Sequence, residues 1–136
     1  MAYIHVYQGA SITSGGTEGT LVSEGTGLSP ISVTLNATNN EVSSPIKLAL
    51  RCETGYQTVG NTVITPTGTT ASKWQLAPDN AGSAGTFGAY GDPLTISSVI
   101  GATNTLFWAK AKSTSDETPI NDSSVDLEVT ATIEAV

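Results

Sequence analysis

Cysteine, histidine and methionine each occur once in this chain. A lone Cys52 excludes an intrachain disulfide, so oxidative stapling does not hold the fold. With His5 as the single histidine there is no His/Cys cluster for structural zinc. Nor is there the stock of groups from which a nucleophile, a base and an orienting partner are drawn. Cations are scarce as well. Lys47, Arg51, Lys73, Lys110 and Lys112 stand against 12 acidic residues, giving a net charge of -7. That balance disfavours nucleic acid and anionic membrane as partners. No apolar run approaches the roughly 20 residues of a membrane-spanning helix. The first residues carry neither a basic stretch nor a long apolar one, so no signal peptide is expected.

What the chain has instead is hydroxyl and amide side chains, and alternation. Charged residues make up only 12% of the sequence, so Ser, Thr and Asn must carry much of the surface, Thr in strands and Ser and Asn in turns. Over residues 125–135 every odd position is apolar and most even ones are charged or hydroxyl. Successive side chains on a strand point to opposite faces, so this is one strand with a dry face and a wet face. A helix would scatter the same apolar residues around its axis. Ile46, Leu48, Leu50 and Cys52 alternate in the same way, which puts Cys52 on a buried face where it acts as a small hydrophobe. So do Ile31, Val33, Leu35 and Ala37.

Further strands are expected over residues 3–8, 20–23, 56–64 (stopped by Pro66 and Gly68), 73–77, 94–100 and 105–112. Residues 9–19, rich in Ser, Thr and Gly, read as a loose segment that orders on assembly. Residues 78–91 read as loop. The last two strands are expected to pair as a long hairpin. Turn signals about every 8–12 residues and the absence of a convincing helix give an all-β, single-domain antiparallel β-sandwich over 1–136, immunoglobulin-like, with roughly 7–9 strands. Beginning with Met and ending within a strand pattern, the chain reads as a whole small gene product.

Site chemistry is thin, and no enzyme is expected. The densest oxygen set is Asp116, Glu117 and Asp122 with nearby Asp126, the calcium candidate of the chain. Its spacing matches no EF-hand loop, and a solvated loop whose Asn and Asp bend the backbone is the preferred reading. No metal site and no cofactor are therefore assigned. On residues 105–112, Phe107, Ala109 and Ala111 share one face, while Trp108, Lys110 and Lys112 share the other. If the first face is core, Trp108 is partly exposed under lysine stems. That makes Trp108, Lys110 and Lys112 the expected partner contacts, together with the loop over residues 116–122. Trp74 shares its face with Leu76 and reads as core. Flat aromatics also stack on sugars, so a carbohydrate-binding module using Trp108 and Tyr90 is the alternative.

Two stretches carry a resemblance. One is Trp74-Gln75-Leu76-Ala77-Pro78-Asp79-Asn80-Ala81-Gly82 followed by Phe87-Gly88-Ala89-Tyr90-Gly91. The other is Asn104-Thr105-Leu106-Phe107-Trp108-Ala109-Lys110-Ala111-Lys112 with Asn121-Asp122-Ser123-Ser124-Val125. Together they resemble small phage- and prophage-encoded virion structural proteins with an immunoglobulin-like β-sandwich. The resemblance covers roughly the C-terminal half and contains no catalytic signature. It implies a head-decoration or tail component, made in a bacterial cytoplasm without a leader and ending in the virion. Its partners would be protein subunits of the particle, further copies of itself among them, with exposed sheet edges available for pairing.

Overall fold

The structure is a computed structural model that describes residues 3–9, 11–22, 31–33, 45–68, 71–111 and 122–136. Among them run ten strands: β1 (Ile4–Gln8), β2 (Thr20–Val22), β3 (Ile31–Val33), β4 (Ile46–Cys52), β5 (Tyr56–Thr67), β6 (Trp74–Asn80), β7 (Ser83–Ala84), β8 (Leu94–Ile96), β9 (Thr105–Ala111) and β10 (Asp122–Ala135). One 3₁₀ turn, Ala71–Lys73, leads into β6. The strands form two antiparallel sheets, ordered β2-β1-β4-β9-β6-β7 and β3-β10-β5-β8, packed as a sandwich. No described helix is long and apolar enough to cross a membrane.

The dry faces close on one core. The six-stranded sheet contributes Val6, Leu48, Leu50, Trp74, Leu76 and Phe107, with the small Ala109 and Ala111 beside them. The four-stranded sheet supplies Ile64 and Leu127, and Val129 packs against the cluster. Trp74 and Phe107 are essentially inaccessible, as the two-residue period requires. Ile100 seals one end. Its N–H donates to Thr58 Oγ1 at 2.8 Å, and its carbonyl accepts from Thr58 N at 2.9 Å and from Cys52 Sγ at 3.4 Å. Burial pushes the Cys52 thiol up from its ordinary value.

Three expectations fail here, each for a physical reason. The last two strands do not form a hairpin: β9 lies between β4 and β6 in one sheet, while β10 lies between β3 and β5 in the other. Alternation identifies the face a strand buries and not the neighbour it pairs with. Proline does not end the strands either. Pro66 pairs in register with Leu127, but β8 flanks β5 only at Thr62–Ile64, so Pro66 sits where one side needs no donor. Pro78 pairs in register with Phe107 and offers only its carbonyl outward.

The loop reading of residues 78–91 also gives way, to a hairpin followed by a strap. Ala81 and Gly82 form the two-residue turn between β6 and β7, both with left-handed backbone at φ 52° and 90°. From there Gly85, Gly88 and Gly91 each donate an N–H to the carbonyls of Pro78, Leu76 and Trp74, at 2.8, 3.0 and 2.8 Å. The strap advances three residues for every two of β6 and covers its free edge. A Cβ at Gly85 would sit 3.0 Å from the Pro78 carbonyl oxygen, so the close approach needs glycine.

Candidate functional site

The outer face of the six-stranded sheet gathers the polar and aromatic side chains that the core rejects. Strand pairing decides which of them meet. Ala49 lies opposite both Tyr7 and Leu106, and Lys47 lies opposite Trp108, which in turn faces Ala77 on β6. Gln75 lies opposite Lys110. Two covers fold onto this face from either side.

The first cover is the segment 9–19. Its Ile12 is fully buried and forms a second small core with Ala49 and Leu106, flanked by Tyr7. Asn104, itself buried, ties the segment down. Its main chain exchanges bonds with Gly15 and Gly16, at 3.0 and 2.8 Å. Its Nδ2 donates to Thr13 O, Glu18 O and Glu18 Oε1, at 3.3, 3.2 and 3.2 Å. Its Oδ1 accepts from Arg51 Nη1 at 2.8 Å, and that guanidinium also donates to Glu18 O and lies 3.6 Å over the Tyr7 ring. Bonds from its own backbone N–H and from the Thr13 hydroxyl hold the Glu18 carboxyl below its ordinary pKa. The segment is therefore a docked loop and not the loose one that its composition promises.

The second cover is the glycine strap. Gln75 Nε2 donates to the Gly88 carbonyl at 2.8 Å, and Lys110 Nζ lies 4.4 Å over the Phe87 ring.

Trp108 stands between the two covers, half-buried on β9. Its Nε1 donates to Asp79 Oδ1 at 2.9 Å, while Asp79 Oδ2 accepts the Gly82 N–H of the hairpin turn at 3.2 Å. Lys47 Nζ lies over the indole at 5.8 Å, within cation–π range. Beside the ring opens a hollow of about 340 Å³ lined by Gln8, Gly9, Pro45, Ile46, Lys47 and Trp108. One aromatic ring is thus fixed at its polar edge by a carboxylate and on its face by an ammonium. Such a ring presents apolar area without ordering cost on contact.

The sequence-read contacts distribute as follows. Trp108 and Lys110 share the outer face, but the cation over Trp108 is Lys47, and Lys110 serves Phe87. Tyr90 lies on the strap, half-buried. Lys112, Asp116 and Glu117 lie outside the described residues, and Asp122 and Asp126 belong to β10. Among the described residues no three His, Cys, Asp or Glu side chains gather as metal ligands. His5 Nε2 and Glu53 Oε1 lie 3.3 Å apart, 48 residues distant in sequence, while Cys52 is buried. The residues that sequence reasoning missed are Lys47 and Asp79, which need the strand register to reach Trp108, and Asn104, which needs the docked loop. No family model, no curated protein and no solved structure matches this chain.

Proposed function

We propose that this chain is a non-catalytic structural subunit that works by binding other protein subunits through the outer face of its six-stranded sheet. This is the role implied by its likeness to small virion proteins. The observation that carries the reading is Trp108, half-exposed on a rigid strand and locked by Asp79 and Lys47 beside an open hollow. Large, preordered aromatics in such settings are where contact energy concentrates. The scarcity of reactive side chains supports the same reading: the sequence holds one histidine and one cysteine, and the cysteine is buried. Nucleic acid and anionic membrane are poor partners for a chain of net charge -7.

The test is the composition of density-banded particles released by the bacterium that carries the gene. The chain should be present in fixed proportion to the other particle proteins. Trp108→Ala should keep the parent's circular dichroism, melt a few degrees lower for want of the Asp79 bond, and be missing from the particles. Particles without the parent chain would overturn the proposal. So would specific hits on a glycan array that Trp108→Ala abolishes, since the ring would then serve a sugar.

A further inference from the structure

The two sheets divide the charge of the chain unevenly. Arg51 on the six-stranded sheet is covered by the docked segment that carries Glu18, and His5 contacts Glu53, which leaves Lys47 and Lys110 beside Trp108 against the one carboxylate of Asp79. Among the described side chains, those of the four-stranded sheet's strands carry Glu128 and Glu134 and no cation. Glu128 and Glu134 are exposed and lie on the outer face of β10, opposite Thr65 and Gln57 of β5. Between them Val59 stands out from the same face, opposite Thr132 and 45% exposed. The molecule thus has a basic, aromatic, hollowed face and an acidic face with an apolar knob, on opposite sides of one sandwich.

We infer that these faces are partners: the acidic outer face of the four-stranded sheet of one copy seats on the Lys47–Trp108–Lys110 face of a second copy. This rests on the structural-subunit reading and names the partner. Each copy carries net negative charge, but at physiological ionic strength charges farther apart than about 8 Å are largely screened. Ammonium–carboxylate contacts formed across the joined faces are screened far less. The edge of β6 is occupied by the glycine strap, so face-to-face contact leaves the strap in place. Because two different faces meet, the contact is heterologous, and repetition yields a ring if the rotation closes or a filament if it does not.

Sedimentation velocity of the purified chain tests this. Self-association should appear and weaken about tenfold or more when salt is raised to about 0.5 M. Lys47→Glu with Lys110→Glu, and separately Glu128→Lys with Glu134→Lys, should each give monomers with the parent's circular dichroism, the first pair melting a few degrees lower for want of the cation–π contacts to Trp108 and Phe87. Mixing those two double variants should restore association, because the reversed basic face of one then meets the reversed acidic face of the other. A chain that stays monomeric at millimolar concentration overturns the inference. So does association that Glu128→Lys with Glu134→Lys leaves intact, or a mixture that stays monomeric. The particle-composition experiment is independent: a chain found in particles but monomeric alone retains its structural role and loses only this choice of partner.

Discussion

Replacing Asn104 with alanine should loosen the segment 9–19 while leaving both sheets assembled. The main-chain bonds of residue 104 to Gly15 and Gly16 survive the change, so the loss is confined to the side chain. That side chain reaches two backbone carbonyls, the Glu18 carboxylate and the Arg51 guanidinium. A neutral hydrogen bond contributes about 1 kcal/mol net, and one to a charged group about 1.5–3 kcal/mol. Glu18 is exposed, so the bond to its carboxylate is exchanged for water and is left out of the sum. The two carbonyl bonds and a discounted Arg51 bond then come to about 3 kcal/mol. For a domain of this size each kcal/mol moves the melting temperature by about 3–4 °C, so the expected drop is about 10 °C. Calorimetry reads the drop, and amide exchange at Gly15 and Ile12 should accelerate more than exchange at Phe107 in the core. Asn104→Asp supplies the control. It keeps the acceptor for Arg51, loses the donors and sets a second carboxylate against Glu18, so its deficit should be at least as large at pH 7. The deficit should shrink towards pH 4, where one carboxyl takes up a proton and donates again. A melting temperature within about 3 °C of the parent for Asn104→Ala would refute the reasoning, since Ile12 and the main-chain bonds to Gly15 and Gly16 would then suffice to hold the loop.

Other outcomes follow from single features. Ala81→Asn should stabilise by about 0.5–1 kcal/mol, because an L-residue with a plain Cβ is costly at φ 52° and Asn-Gly is the preferred pair for this turn; thermal unfolding would show it. The Glu18 carboxyl is held below its unfolded value, so its contribution is complete above the unfolded pKa near 4.5 and disappears as pH falls through the lower folded one. Glu18→Gln should therefore flatten the acid limb of the stability profile while leaving the alkaline limb unchanged. Cys52, buried and raised in pKa, should react with a thiol reagent at neutral pH only on unfolding; modification of the folded chain at the rate of a free thiol would contradict its placement.

Much of the fold is legible because burial enforces the two-residue period. The strands β4, β9 and β10 announce themselves by alternation, and the dry face of β9 follows from Phe107, Ala109 and Ala111. What alternation omits is adjacency. Nothing in residues 105–136 says that β9 and β10 belong to opposite layers, and nothing near Trp108 in sequence says that the ammonium over it comes from residue 47. Composition misleads over residues 9–19, where Ser, Thr and Gly promise looseness. The countersignal is Ile12, a single large apolar residue that finds a buried seat. The prolines mislead in the opposite sense. Pro66 and Pro78 look like stops, yet each occupies a strand position whose outward N–H is not required. Asn104 gives no local sign of its role, since its partners lie 53 to 91 residues away.

The glycine strap constrains how this protein can change in length. Three residues of strap span two of β6, and only every third strap amide meets a carbonyl. Deleting or adding one residue between Gly85 and Gly91 would bring a side chain to the place of Gly91, where the backbone is left-handed at φ 82° and a Cβ would lie 3.3 Å from Ser72 Cα, and the bond to Trp74 would fall out of step. Adding or removing a whole triplet, together with two residues of the strand it follows, keeps every amide over an oxygen. Descendants of this sequence should therefore vary here in blocks of three, in the way that reading frames do.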